Sequence, residues 1–154
     1  MELFPIRRLL IAAIVLFAPL VAASASASAG ENDVFTGPVR AKVLKVLDGD
    51  TFSADALVWP GHTVRVNVRI RGVDAPEMKS RCAAERLAAL EARDELSGLI
   101  GSAGVSISNI GGAKYYGRVL ADVATEDGTA IAQTLIERAL ARPYGGGKRQ
   151  GWCG

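Results

Sequence analysis

The chain has 154 residues, of which 49% are hydrophobic and 22% are charged, with a formal net charge of +2. This near balance excludes a general electrostatic attraction to nucleic acid, so any such binding must come from locally placed charges. The single histidine excludes an acid–base mechanism that needs two histidines of one chain. Two cysteines and one histidine also do not complete a Cys/His zinc site without help from carboxylates.

The N-terminal 29 residues have the pattern of a secretory signal peptide. Arg7 and Arg8 precede an uncharged apolar run over residues 9–21, and small residues at alternate positions favour cleavage after Ala27 or Ala29. An uncleaved membrane anchor is the alternative, but the run is short for a span of about 20 residues. The sequence therefore predicts export to the periplasm or secretion, with no stable membrane association after cleavage.

The rest of the chain has the length of one domain. Without the signal peptide, the 18 basic and 16 acidic residues become 16 and 15. We divide this part into a polar lead-in over residues 30–38, a folded domain over residues 39–144 and a glycine-rich tail over residues 145–154.

Three strands are predicted first. Alternating apolar and polar residues predict strands over residues 39–47, 51–56 and 62–71, and the third of these alternates most regularly. Turns are predicted at Asp48-Gly-Asp50 and at Pro60-Gly61.

The period then changes to that of a helix. Apolar residues spaced three and four apart predict a helix over residues 80–100. Strands follow over residues 105–110 and 117–125, and a second helix over residues 129–140. Three strands, a helix, two strands and a helix is the order of an OB-fold, so we expect an α+β, mainly β domain with a five-stranded barrel and two helices. A generic α+β sheet is the alternative.

Two short acidic segments are candidates for a functional site. Asp48-Gly-Asp50 follows the first strand, and Asp74-Ala-Pro-Glu77 follows the third. Each alone is also consistent with an ordinary turn or with a loop that caps a helix. In an antiparallel meander, however, both segments can lie on one rim, where their carboxylates would suit a hard divalent cation.

Arginines lie near these acidic segments in the predicted fold. Arg69 and Arg71 share the face of the third strand that is opposite its valines and isoleucine, and Arg118 begins the fifth strand. A solvated strand residue is the simpler interpretation of each one alone. Together with a bound metal, their planar guanidiniums would suit the oxygens of a phosphate.

Taken together, three motifs resemble the thermonuclease family, the staphylococcal-nuclease-like branch of the OB-folds. They are VLDGDT over residues 46–51, VRIRGVDAPE over residues 68–77 and KYYGRVLA over residues 114–121. The resemblance runs in order from about Arg40 to Tyr144. It implies a nuclease, and it also implies that a long third helix of some members is absent or is replaced by the tail.

The resemblance implies a calcium site. Asp50 and Asp74 would be direct ligands, together with the backbone carbonyl of Ala75, and Asp48 would lie nearby. Glu77 would act on the attacking water.

The resemblance also implies how the substrate is held. Arg69 and Arg118 would bind the phosphate and stabilise its transition state, and Tyr116 would line the nucleotide site, with Tyr115 beside it. We therefore expect a monomeric, calcium-dependent endonuclease that cleaves DNA and RNA with little sequence specificity. Single strands should be preferred, and the products should end in 3′-phosphates. The alternatives are a non-enzymatic OB-fold module that binds nucleic acid and a secreted adaptor domain.

The two cysteines, Cys82 and Cys153, are expected to pair because exported proteins meet an oxidising environment. Two reduced thiols are the alternative. A bridge would attach the C-terminal tail to the middle of the domain.

Overall fold

The computed structural model describes residues 33–153. The predicted signal peptide lies outside the described residues, as does the start of the lead-in. The strands are β1 Val39–Asp48, β2 Thr51–Trp59, β3 His62–Ile70, β4 Val73–Asp74, β5 Val105–Gly112, β6 Arg118–Thr125 and β7 Arg142–Pro143, and the helices are α1 Ala83–Ile100 and α2 Ile131–Glu137.

Five of the strands form a closed barrel in the order β1-β2-β3-β6-β5. Strands β3 and β6 pair in parallel, and the other neighbours are antiparallel. The predicted α+β, mainly β fold with a five-stranded OB-fold barrel and two helices is confirmed.

The alternation of β3 separates the core from the outer face of the barrel. Val68 and Ile70 are fully buried, whereas Asn67 and Arg69 are only partly buried. Because apolar side chains of the neighbouring strands fill the same interior, the barrel has a packed core, and Arg69 is left on its outside.

Strand β1 differs from its predicted alternation at Lys45. Strict alternation puts Lys45 on the same face as Val43, but the register with β2 shifts between these two residues. The extra residue of this bulge reverses the alternation, so Lys45 is exposed and Val46 packs against the core. The bulge therefore keeps a charged side chain out of the barrel interior.

Helix α1 begins three residues later than predicted. Cys82 is its N-cap, and the helix buries Ala89, Ala92 and Leu96. These residues recur at helical spacing, so one apolar stripe packs the helix against the barrel. The small Ala92 lets the barrel rim approach the helix closely, as described below.

Helix α2 is shorter than the predicted range of residues 129–140. It ends at Glu137 because Ala139 takes a positive φ of 57°, and the Leu140 amide then bonds back to the carbonyl of Leu135. No helix follows α2 in the part of the chain up to residue 153. Within residues 33–153, no helix is long and apolar enough to cross a membrane.

The short strands β4 and β7 were not predicted. Val73 pairs with Pro143 and Asp74 with Arg142. This two-residue ladder joins the acidic loop after β3 to the start of the C-terminal tail, so the tail begins next to the candidate site.

Candidate active site

The turn between β1 and β2 is pressed against two other elements. A Cβ placed on Gly49 would lie 2.7 Å from the Cβ of Ala92 in α1 and 2.8 Å from that of Ala75. Only glycine fits this approach without a shift of its neighbours. The turn therefore brings the first acidic segment against the second, Asp74-Ala-Pro-Glu77.

Asp50 is buried at the centre of the site. Its Oδ1 accepts hydrogen bonds from Arg69 Nη1 at 2.6 Å and from the Thr51 hydroxyl at 2.8 Å. Its Oδ2 accepts one from the backbone amide of Ala75 at 3.1 Å. Asp50 is thus held by donors from two strands and from the second acidic loop.

Arg69 bridges the two acidic segments. Besides its bond to Asp50, its Nη2 lies 3.7 Å from Asp74 Oδ1 and donates to the Val73 carbonyl at 3.3 Å. The predicted convergence of Asp50, Asp74 and Arg69 is therefore present in the fold.

The site also contains an arginine that was not predicted. Arg149, from the C-terminal tail, donates from Nε to Asp74 Oδ1 at 2.5 Å, from Nη1 to Glu77 Oε1 at 2.6 Å and from Nη2 to the Ala75 carbonyl at 2.8 Å. Burial disfavours the charged guanidinium, but the hydrogen bond to Asp74 and the nearby carboxylates outweigh it and raise the pKa of Arg149. Arg149 thus contacts three of the oxygens assigned to cation or water binding.

Glu85 in the first turn of α1 holds the second acidic loop in place. Its buried carboxylate accepts hydrogen bonds from the Ser80 hydroxyl at 2.6 Å and from the Glu77 amide at 3.1 Å. The Ser80 hydrogen bond is the main reason that the pKa of Glu85 is lowered. No direct signal for this role is visible in the sequence, because an acidic residue in the first turn of a helix is common.

Asp48 lies beside the pair formed by Asp50 and Arg69 and is half-buried. Burial, followed by the negative charge of Asp50, raises the pKa of the Asp48 carboxyl, while the hydrogen bond from the Gly49 amide lowers it. Burial, aided by the neighbouring Asp50 carboxylate, therefore disfavours the charged form of Asp48.

Arg118 lies on the same outer face of the barrel as Arg69. Strands β3 and β6 pair Asn67 with Arg118 and Arg69 with Leu120, so the two arginines are on adjacent strands, two register positions apart. The Arg118 guanidinium lies 5.2 Å from the centre of the Tyr115 ring. No salt bridge of Arg118 occurs within residues 33–153.

The two predicted substrate-binding tyrosines precede β6. Tyr116 is fully exposed, and Tyr115 is 58% exposed and packs on Arg118. Both lie at the surface, and neither forms a hydrogen bond with the site carboxylates within residues 33–153.

A cleft of about 530 Å³ adjoins the site. It runs from Arg69 past Lys114 to Tyr144 and the glycines that follow it. Arg69 therefore lies between the buried carboxylates and an open cleft that is lined partly by basic side chains.

The donor chemistry of the site suits a hard cation, because Asp50, Asp74, Glu77 and the Ala75 carbonyl all offer oxygen. Three of these residues already direct an oxygen at one positive group, the guanidinium of Arg149. Within residues 33–153, however, no three His, Cys, Asp or Glu side chains lie close enough together to hold a metal ion. The oxygens fit a divalent cation in kind, and in this arrangement they are held apart around guanidiniums.

The structure contains a disulfide between Cys82 and Cys153, which lie 71 positions apart in the sequence. Cys82 follows Glu77 by only five residues, so the bridge brings the end of the tail next to the second acidic loop. The expected pairing of these cysteines was the one feature of the sequence that could have placed the tail, and with it Arg149, near the site.

The fold and the site define a class of protein, an OB-fold domain with carboxylates and arginines on one rim of its barrel. A family model described as staphylococcal nuclease homologue matches residues 67–150, more than half of the chain. The protein belongs to this nuclease-like family, and the resemblance drawn from the three motifs is confirmed. No match is found among curated proteins.

Proposed function

We propose that the protein is an exported, calcium-dependent endonuclease that hydrolyses phosphodiester bonds of DNA and RNA with low sequence specificity. The observation that carries this proposal is the position of Arg69, which donates to buried Asp50 at 2.6 Å and lines the adjoining cleft. A guanidinium placed in this way can reach a phosphate in the cleft while it orients a carboxylate behind it.

Asp50, Asp74 and the Ala75 carbonyl would hold the calcium ion, which when bound neutralises phosphate charge and orients water. Asp50 and Asp74 are buried. They pair with Arg69 and Arg149 and so offset the positive charge of these arginines, which a module that only binds nucleic acid would need for phosphate.

Glu77 is the general base in this proposal. Its side chain is 54% exposed, unlike those of the two buried aspartates, so water can reach it. The carboxylate takes a proton as the water oxygen bonds to phosphorus. The bond from phosphorus to the 5′ oxygen then breaks, and this oxygen takes up a proton from solvent water, so the products are a 3′-phosphate and a 5′-hydroxyl.

Arg69 and Arg118 stabilise the negative charge that grows on the phosphate oxygens during attack. They come from adjacent parallel strands, so the barrel itself fixes their spacing. Tyr115 and Tyr116 offer exposed rings on which an unpaired base can stack, and this favours single strands. Contacts to phosphate rather than to base edges give low sequence specificity.

The test is cleavage of a labelled single-stranded DNA by the purified protein, the Glu77→Gln variant and a matched control, Glu91→Gln. Glu91 is exposed on α1. We expect loss of the general base to slow cleavage by about 100-fold or more, and the control to leave it unchanged. Equal cleavage rates for the Glu77 and Glu91 variants would show that Glu77 is not the general base. Tight DNA binding without cleavage, insensitive to chelator, would favour a non-enzymatic binding module.

A further inference from the structure

We propose that Arg149 is a built-in competitor of the divalent cation, and that it sets the cation affinity of the site. Its guanidinium closes the carboxylate cluster when no cation is bound, and a bound cation displaces it. This inference rests on the proposed function, because it assumes that the same oxygens bind a cation.

The contacts of Arg149 are the first argument. Each of its three donors reaches a different residue of the acidic loop: Asp74 at 2.5 Å, Glu77 at 2.6 Å and the Ala75 carbonyl at 2.8 Å. A planar guanidinium can satisfy several acceptors at once, which a single ammonium cannot do in the same geometry. Arg149 thus occupies two of the three groups assigned to the cation, Asp74 and the Ala75 carbonyl, and also the Glu77 carboxylate.

Charge is the second argument. A divalent cation bound to Asp74 and the Ala75 carbonyl would lie within a few ångströms of the Arg149 guanidinium. Two like charges at that distance in a partly buried site repel strongly, because little solvent screens them. The cation and Arg149 therefore cannot bind these oxygens at the same time.

The way in which the chain holds Arg149 is the third argument. Residues 144–151 form a loop that is fixed at both ends. At one end β7 pairs with β4, and the Tyr144 amide donates to the Gly72 carbonyl at 2.8 Å. At the other end the disulfide ties Cys153 to Cys82.

A further contact steadies the second end of this loop. The Trp152 ring stacks on the Arg142 guanidinium at 3.9 Å, and Arg142 also donates to the Gly151 carbonyl at 3.0 Å. A loop closed in this way presents Arg149 to the carboxylates at a high effective concentration. Opening the disulfide frees one end, so the competition should weaken.

The experiment is a calorimetric titration of calcium into the purified full-length protein, the Arg149→Gln variant and the Lys148→Gln control. Lys148 is the exposed neighbour of Arg149 in the same loop, so its variant removes the same charge without touching the carboxylates. We expect Arg149→Gln to bind calcium about tenfold more tightly than the wild type, a typical coupling between exclusive ligands. Lys148→Gln should change the affinity much less.

A second arm includes a measurement on the wild type that does not depend on how well the Arg149 variant folds. Reduction of the disulfide in the wild type should tighten calcium binding in the same direction. Reduction of Arg149→Gln should leave its affinity unchanged, because the competitor is already gone. Circular dichroism before each titration checks that the protein is folded.

The outcomes separate this inference from the proposed function. Equal affinities for the wild type and Arg149→Gln, or weaker binding by the variant, would overturn the competitor role and leave the calcium site intact. No calcium binding by either protein would overturn both. If the Arg149 and Lys148 variants both bind calcium more tightly, and to the same degree, the loss of one positive charge explains the change. That result would also overturn the competitor role of Arg149.

Discussion

At the scale of single residues, the site depends on how each polar group is held. Asp50 accepts three hydrogen bonds and is buried, whereas Glu77 is exposed and, within residues 33–153, is bound through its side chain only to Arg149. The two carboxylates are therefore suited to different tasks. A buried, fully bonded carboxylate is a rigid ligand, and an exposed one can exchange a proton with water.

Arg118 gives the first prediction. Its guanidinium lies over Tyr115 and faces the same side as Arg69, so it is available to a phosphate. Arg118→Gln should slow cleavage of single-stranded DNA by about 100-fold, the cost of one transition-state donor. The matched control is Arg65→Gln, because Arg65 is an exposed strand arginine that pairs with Asp55. Initial rates at saturating calcium measure the effect, and similar rates for the two variants would contradict it.

Gly49 gives a second prediction, on stability. A methyl group at this position would overlap Ala75 and Ala92, so Gly49→Ala should lower the free energy of unfolding by about 1–3 kcal/mol. Gly98→Ala is the control. Gly98 lies in α1 with open space around it, and alanine there should stabilise the helix by up to about 1 kcal/mol. Urea denaturation of both variants gives the comparison, and an unchanged midpoint for Gly49→Ala would rule out the close approach.

At the scale of elements, the site is assembled where several short segments meet at one rim. The turn after β1 packs on α1, the loop after β3 is held by Glu85 of the same helix, and β7 adds the start of the tail. Helix α1 is thus the support on which both acidic segments rest.

The start of α1 gives a third prediction, on pH. The pKa of Glu85 is lowered in the folded protein, first by the Ser80 hydrogen bond, so the unfolded chain binds this proton more readily. The stabilisation is fully present above the unfolded pKa of a glutamate, about 4.3, and is lost as the pH falls through the lower folded pKa. Acid should therefore destabilise the wild type more steeply than Glu85→Gln.

Urea unfolding at a series of pH values between about 6 and 3 tests the Glu85 prediction. Glu91→Gln, an exposed glutamate of the same helix, is the control and should follow the wild type. If Glu85→Gln loses stability with acid as steeply as the wild type does, Glu85 is not the group responsible.

At the scale of the whole molecule, the disulfide joins the tail to the domain. The closed loop spans 71 positions, for which the chain-entropy model gives a stabilisation of about 4 kcal/mol. Reduction, or a Cys82→Ser/Cys153→Ser variant, should lower the free energy of unfolding by this amount. Urea curves with and without reductant measure it. Reductant should not affect the serine variant, and a wild-type curve that does not move would contradict the prediction.

Much of this architecture follows from local patterns. The period-2 alternation of β3 and the period-3.6 stripe of α1 could be read directly, because each buries one face against the core. The bulge at Leu44 and the early end of α2 could not be read in this way. They depend on register with neighbouring strands and on a backbone turn at Ala139, which no local pattern encodes.

The candidate site divides in the same way. Asp50, Arg69 and Asp74 could be predicted because their motifs lie at the ends of neighbouring strands. Arg149 and Glu85 could not, because they reach the site through tertiary contacts from the tail and from α1. The partners of a side chain that comes from a distant part of the chain are not visible in its sequence neighbours, and only the expected pairing of the cysteines pointed to the tail.

The central claim is that these converging carboxylates and arginines form a cation-dependent phosphodiesterase site. Its most direct test is the initial rate at which the purified protein cleaves a single-stranded oligonucleotide in calcium and in excess chelator, with Asp50→Asn measured beside it. We predict rapid cleavage in calcium, none in chelator and a loss of about 100-fold or more in the variant. Cleavage that persists in chelator, or that is unchanged in Asp50→Asn, would contradict the account.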